Sequence, residues 1–480
     1  MTDVRPFWIA GRPETSATTV EVFHPADGSV AGAHYLPDDE QVERAVAAAW
    51  AVRREAAATS AGARADALAH VSARIEERSD EIARLITAEN GKPLMWARAE
   101  TARAASTFRF AAEEARRWGG VLQRLDTEVG SVGRAGIIRR FPYGPVLGIA
   151  PFNFPLNLTA HKVAPALAVG APIIIKPAPA TPLSALLLGE LLAETDLPEG
   201  MWSVLPVSND VAPRLTADER LPIVSFTGSE PVGFAIQKAV PHKHVTLELG
   251  GNAAAVVLAD YSSDEDLEWA AARIATFAMY QAGQSCVSVQ RVLIDSSLYD
   301  NFVARFVTKI EGLVDGSPWD EDTVVGPLIS EAAAERVEVW VNEAIEAGAK
   351  LLTGGRRDGA TYTPTVLAEV PSDAKVACEE VFGPVVSVAP IAGATAAIEA
   401  INDSRFGLQT GIFTHDLQVA FRAHRDLEVG GVIIGDVPSY RADQMPYGGV
   451  KSSGVGREGI QSAMADFTYE KVLVLTGLDL

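Results

Sequence analysis

From Pro145 onward the chain alternates short β-rich runs with helix-like stretches, and this rhythm restricts its fold more than any other feature. Val146-Leu147-Gly148-Ile149-Ala150, Ile173-Ile174-Ile175, Ser203-Val204-Leu205 and Ile223-Val224-Ser225-Phe226 are the runs, with helical stretches such as 183–194 between them. Apolar runs joined through helices predict a parallel sheet covered on both faces, because parallel strands need long crossovers that pack back onto the sheet. A second series starts at 253–258 and continues through helices over 264–280 and 297–314 and strand-like stretches at 385–390 and 429–435. Two α/β units meeting near Gly250 follow. The length of 480 residues agrees, since single cores stop growing at roughly 250–300 residues.

Upstream, 39–57 and 61–77 read as helices, and Ser79-Asp80 is expected to cap a third that stops at Asn90-Gly91-Lys92-Pro93. Glycine at a C-cap followed by proline is a helix stop. Another helix runs from Leu94 to Trp118-Gly119-Gly120, and 130–140 reads as an extended hairpin. Tyr469-Glu470-Lys471-Val472-Leu473-Val474-Leu475 is a strand with little sequence left to pair with, so pairing with another subunit is expected.

Sixty-two acids against 41 bases, a net charge of -21, repel nucleic acid and anionic membrane surfaces, so neither is expected as a partner. The longest apolar tract, 144–160, is broken by Pro145, Pro151 and Pro155 and is too short to span a bilayer. Two cysteines and no Cys/His cluster make neither a disulfide framework nor a metal site, which points to the reducing cytoplasm. The first residues lack the basic start and apolar run of a signal peptide.

One of those cysteines closes Gly283-Gln284-Ser285-Cys286, and Leu247-Glu248-Leu249-Gly250-Gly251 offers a lone acid upstream. A thiol and a carboxylate beside glycines read as a nucleophile with its general base, or as a buried apolar cysteine and an ordinary acid. Glu248 ends a buried strand, so its pKa should be raised toward proton transfer. Cys378, with no base or glycine turn beside it, reads as structural. Phe226-Thr227-Gly228-Ser229-Glu230-Pro231 ends a strand and opens a helix, with Ser229 as N-cap; its free amides suit a pyrophosphate, or capping alone. Lys176-Pro177 puts a cation at a strand's C-terminal end, where nucleotides bind in open sheets, unless it is simply solvated. Between Pro151 and Pro155, Asn153 is either a rigid oxyanion donor or turn chemistry.

Taken in order, Pro151 to Pro155, Lys176-Pro177, Phe226 to Ser229, Glu248 to Gly251, Gly283 to Cys286, Glu379-Glu380-Val381-Phe382-Gly383-Pro384 and Pro446-Tyr447-Gly448-Gly449-Val450-Lys451-Ser452-Ser453-Gly454 resemble the aldehyde dehydrogenase superfamily along nearly the whole chain. The resemblance implies an α/β fold in three parts. A Rossmann-type nucleotide-binding domain takes 1–121 and 142–251, an α/β catalytic domain 252–465, and a small β oligomerisation element 122–141 and 466–480 of a homodimer or homotetramer.

It also implies that Cys286 attacks an aldehyde carbon while the Asn153 amide and the Cys286 N–H hold the oxyanion. Glu248 serves as base, and Lys162 and Glu458 assist proton movement. NAD or NADP is the implied cofactor. Ala150, Pro151, Phe152, Phe226, Val232, Leu249 and Gly250 surround it; Gly228 and Ser229 meet its pyrophosphate, Lys176 the adenosine ribose, Glu380 the nicotinamide ribose, and Phe382 the ring. Where many NAD-preferring relatives carry glutamate, three residues after the lysine, this chain has Pro179 after Ala178, so NADP is admissible.

Members that pass the acyl group to coenzyme A commonly lack the acid at Glu248, so hydrolysis to a free acid is expected over the coenzyme A reaction. A silent binding or structural member is the remaining alternative, against which the intact Cys286, Glu248 and Asn153 stand. Phe154, Ser285, Arg103 and Arg441 are the substrate candidates. The two guanidinium groups suit a distal carboxylate or phosphate, unless Arg103 pairs with a surface acid and Arg441 with Asp443. The wording of 283–291 is similar to family-21-like and lactaldehyde or phosphonoacetaldehyde dehydrogenase-like members, which include oxidisers of succinic semialdehyde. Ser285 stands where relatives hold a substrate phosphate with arginine, and Asp436 where a loop asparagine is common, so a carboxylated aldehyde is expected over a phosphorylated one.

Overall fold

The computed structural model describes residues 4–479. Its first sheet has five parallel strands at the centre: His244–Glu248, Ile223–Thr227, Val146–Ile149, Ile173–Lys176 and Trp202–Val204 in spatial order. Antiparallel Gly454–Val455 closes one edge, and Phe7–Ile9 with Arg12–Glu14 closes the other. From Val146–Ile149 the chain winds outward first through 173–176 and 202–204 and then, on the other side, through 223–227 and 244–248. The strand order therefore reverses between Val146–Ile149 and Ile223–Thr227, and open α/β sheets bind ligands beyond the carboxyl ends of strands at such a switch.

A second sheet of seven strands runs Lys350–Thr353, Thr365–Ala368, Val385–Ile391, Arg291–Asp295, Ala254–Val257, Gln409–Phe413 and Gly431–Ile434, parallel except for its first pair. Each sheet has its own apolar core. Helix Asn157–Val169 is buried along its whole length, which explains why it lacks a polar stripe. Among the described residues no helix is long and apolar enough to cross a membrane.

Local sequence accounts for several boundaries. Asp38 and Gln41 form a reciprocal capping box at the start of Asp39–Ala58, and Gly91, left-handed at φ 73°, ends Ser79–Asn90. That helix starts from Arg78 without a side-chain cap, so Ser79 and Asp80 lie inside its first turn rather than capping it. The short strands before residue 38 were not anticipated. The C-terminal strand also departs from expectation: Thr468–Thr476 pairs along its length with Arg134–Pro142 of the same chain, in a three-stranded antiparallel sheet with Gly120–Arg124. Its partner lies far upstream, out of reach of a local reading. Its other edge stays open, with Val472 and Leu473 exposed.

Candidate active site

Between the carboxyl ends of the first sheet and the second sheet lies a cavity of about 680 Å³ that Cys286 helps to line. The nucleophile candidate follows helix Asp264–Met279 through a tight reversal in which Gln281, Ala282 and Gly283 have φ of 41°, 58° and 68°. Left-handed non-glycine residues cost on the order of 1–3 kcal/mol each, so the turn is held by its surroundings. At Gly283 a Cβ would overlap the Gly383 carbonyl oxygen. Gly283→Ala should therefore destabilise the fold by at least about 2–3 kcal/mol, read as a lower midpoint in denaturant unfolding.

Cys286 packs half-buried against Val287, Leu408 and Tyr447, and its Sγ lies 2.7 Å from the Tyr447 hydroxyl. Burial pushes the thiol up to about 12, with the Tyr447 hydrogen bond and the Arg441 charge pulling down and Glu380 and Glu248 adding to the rise. A resting thiol at neutral pH therefore needs a base.

Glu248 ends strand His244–Glu248, paired with Thr227 on one side and Gly454 on the other. It is buried, and neither carboxyl oxygen has a hydrogen-bond partner. Burial, then the charge of Glu458, pushes its pKa well above the carboxylate range against Arg441, Lys162 and Arg457. Gly448 leaves it space, since a Cβ there would come within 2.8 Å of Oε1.

Behind Glu248, Lys162 donates to Thr227 Oγ1 (2.7 Å), Ser225 Oγ (3.2 Å) and Glu458 Oε1 (3.2 Å). Glu458 also accepts from Arg441 at 3.1 Å. Burial would raise the Glu458 carboxyl, but the Lys162 and Arg441 charges outweigh it and hold it at about 2. An acid whose pKa is raised beside one held ionised lets a proton pass between them.

Asn153 Nδ2 donates to the Gln284 carbonyl at 3.0 Å, and Gln281 Nε2 donates to the same oxygen at 2.8 Å. The proline-bracketed turn is thereby tied to the cysteine turn, and one N–H of the Asn153 amide has no partner among these contacts.

The rest of the cavity wall fits a dinucleotide. Phe226, Gly228, Ser229 and Val232 line it at the start of helix Glu230–Ala239, where Ser229 makes no capping hydrogen bond and leaves first-turn amides available. Lys176, Ala178 and Pro179 line it beyond strand Ile173–Lys176, with Lys176 Nζ 2.9 Å from Asn209 Oδ1 and its ammonium pushed down to about 8 by burial. No carboxylate stands at that end: the acids of the wall are Glu248 and Glu380. Ala150, Pro151, Leu249 and Gly250 form the floor, and a Cβ on Gly250 would collide with the Glu380 carboxylate. Glu380 accepts from the Gly251 amide at 3.0 Å, and burial pushes it up to about 7. Phe152 and Phe382 meet edge to face at 5.8 Å.

The substrate candidates lie elsewhere, outside that wall. Arg103 donates from Nε and Nη2 to Asp443 Oδ1 at 3.1 and 2.9 Å. Asp443 thus belongs to Arg103, and Arg441, expected either free or beside Asp443, pairs with Glu458. The Arg441 guanidinium also lies 3.8 Å from the centre of the Tyr447 ring, and its buried Nε has no partner. Arg103 and Arg441 are therefore not two free arginines facing one anion. Phe154 carries the Lys92 ammonium 4.1 Å above its ring, and Ser285 is buried. Sequence reasoning missed Tyr447, Gln281, Thr227, Asn209 and Arg336. Tyr447 stood inside the glycine-rich motif, where its hydroxyl was the one available signal.

The chain belongs to the aldehyde dehydrogenase family: the family model of that description matches residues 12–473. Among relatives, it is 40% identical to the 3-sulfolactaldehyde dehydrogenase of Priestia aryabhattai over 99% of each chain. Among solved structures, it matches aldehyde dehydrogenase 21 from Physcomitrella patens, in complex with the reaction product succinate, at a TM-score of 0.97 and 43% identity, covering 100% of this chain and 99% of that one. It also matches NADP-dependent glyceraldehyde-3-phosphate dehydrogenase from Bacillus halodurans C-125, complexed with NADP, at a TM-score of 0.94 and 34% identity, over 99% and 100% of the two chains. The protein is an NAD(P)-dependent aldehyde-oxidising enzyme with the aldehyde dehydrogenase fold.

Proposed function

We propose that this chain oxidises a small aldehyde carrying a distal carboxylate or sulfonate to the free acid, through Cys286. The observation that carries the anionic part is Arg441: a buried guanidinium with an unpartnered Nε, stacked on the ring whose hydroxyl touches Cys286. A buried guanidinium with a free N–H favours oxyanions such as carboxylate or sulfonate. The relative named for 3-sulfolactaldehyde and the neighbour solved with succinate are in line with that chemistry. Arg103, neutralised by Asp443, adds a supporting charge only.

In this reading the Glu248 carboxylate takes the Cys286 proton, and sulfur bonds to the aldehyde carbon as the carbonyl pair moves to oxygen. The Asn153 amide and the Cys286 N–H hold the oxyanion. The hydride leaving the thiohemiacetal carbon would be accepted by NAD or NADP when bound, and a thioester would remain on Cys286. Gly228 and Ser229 would hold the cofactor's pyrophosphate, Lys176 and Glu380 its riboses, and Phe382 would flank its ring. Once Glu248 has passed the Cys286 proton toward Glu458 and Lys162, it deprotonates a water that attacks the thioester, the carbon–sulfur bond breaks with sulfur leaving as thiolate, and the acid departs. Glu458 and Lys162 carry the proton onward. The absence of a carboxylate near Ala178 and Pro179 leaves room for a 2′-phosphate. The sheet of Val146–Ile149 would serve the nucleotide and that of Ala254–Val257 the thiol. The open edge of Thr468–Thr476 suits a subunit contact.

An aldehyde panel followed by reduced-cofactor absorbance, with each cofactor and without coenzyme A, tests the assignment: product that forms only with coenzyme A would remove the hydrolytic step. Arg441→Leu should raise KM for succinic semialdehyde about 10–100-fold, the worth of a charge-assisted hydrogen bond, and hardly change KM for butanal. Equal rises for both would take away the basis for an anionic substrate.

A further inference from the structure

The side chain in contact with the Cys286 sulfur is Tyr447. Tyr447 is buried, and its backbone is clamped by paired hydrogen bonds with Glu458, N to O at 2.9 Å and O to N at 2.6 Å. Its ring packs on Val287 and Leu408, and the Arg441 guanidinium lies 3.8 Å from the ring centroid. So fixed, the hydroxyl has little freedom to leave Cys286 Sγ, 2.7 Å away. Phenylalanine would satisfy every one of these packing contacts, so the oxygen is what needs explaining.

Resting on the reading of Cys286 as nucleophile, we infer that Tyr447 is a positioning residue that donates its O–H to the Cys286 sulfur, stabilises the thiolate before attack, and is strengthened as a donor by Arg441 over its ring. A cation over an aromatic face draws electron density from the ring, which makes the phenolic proton a better donor. The other charged groups facing the sulfur, Glu380 and Glu248, oppose a thiolate, and Arg441 alone favours it. Tyr447 itself faces Cys286, Arg441 and Glu248, and burial keeps its hydroxyl protonated well above the ordinary range, so it stays a donor as pH rises. Donation from Tyr447 therefore offsets two nearby carboxylates without adding a charge.

Tyr447→Phe removes one oxygen and keeps the ring. Losing a hydrogen bond to a charged group should shift the thiol upward by about one to two pH units. The thiolate fraction then falls about 10–100-fold, and the more basic sulfur recovers about 3–10-fold in nucleophilicity, leaving a net loss of about 3–10-fold in reactivity. The experiment alkylates wild type and Tyr447→Phe with iodoacetamide over a pH series and follows the Cys286 peptide by mass, which separates it from exposed Cys378. Slower alkylation of Cys286 at every pH, with kcat reduced and KM unchanged, supports the inference. Unchanged or faster alkylation, as expected if Tyr447 only shields the thiol, overturns it. That result would leave the proposed function standing, whereas full turnover in a variant lacking the Cys286 thiol would remove the proposed function itself.

Discussion

Cys286→Ala should lower turnover by about 10⁴–10⁶-fold while NAD or NADP still binds, because removing a covalent nucleophile leaves only binding and oxyanion stabilisation to catalyse. The geometry separates the two effects. Cys286 lines the cavity together with Lys176, Gly228, Ser229 and Val232, but none of these makes a hydrogen bond to its Sγ. Truncation leaves the Tyr447 hydroxyl without its partner, at about 1–3 kcal/mol, which lowers the melting temperature without unfolding an ordinary domain. Titration of reduced cofactor by fluorescence should give a Kd within about threefold of wild type, a difference below 1 kcal/mol. Turnover within about tenfold of wild type would show that another group carries the acyl chemistry.

How much of this site was legible in the chain depends on the range of each interaction. Cys286, Glu248 and Asn153 were readable because glycines or prolines bracket them, and those residues mark places where backbone must turn or approach closely. Gly283 and Gly448 are such places: a Cβ would strike Gly383 in one case and Glu248 in the other. Strand-end positions such as Lys176 and Phe226 were readable from the alternation of apolar runs and helices.

Arg441 was not. Its neighbour Asp443 suggested a local pair, yet the fold brings Arg103 to Asp443 from 340 residues away and Glu458 to Arg441. The terminal strand's partner was hidden from local pattern for the same reason, since Arg140, which faces Glu470 across the sheet, lies 330 residues upstream of it; only the family resemblance had grouped the two segments. Tyr447 was inside a quoted motif, but only packing on Val287 and Leu408 decides that its hydroxyl meets sulfur.

Glu248→Gln should lower kcat by about 10²–10⁴-fold, the range for losing a general base, with the thioester-hydrolysis step slowed as well as thiol activation. Glutamine matches the shape and cannot accept the proton. In wild type the rate should climb with pH as the raised Glu248 carboxyl ionises, and in the variant that limb should vanish. Stability should move the opposite way. Below the ordinary value of 4.5 the carboxyl is protonated folded or unfolded and contributes no difference. As pH rises past that point, the unfolded chain ionises and the buried group does not, so the native state loses stability until the raised folded pKa is passed. Glu248→Gln removes this loss, and its melting temperature at neutral pH should equal or exceed that of wild type while turnover collapses. A variant both inactive and markedly less stable would mean that Glu248 holds the crevice together rather than taking protons. The two unpartnered carboxyl oxygens argue against that role, because a structural carboxylate, like Glu89 on the Leu183 and Ser184 amides, has its oxygens engaged.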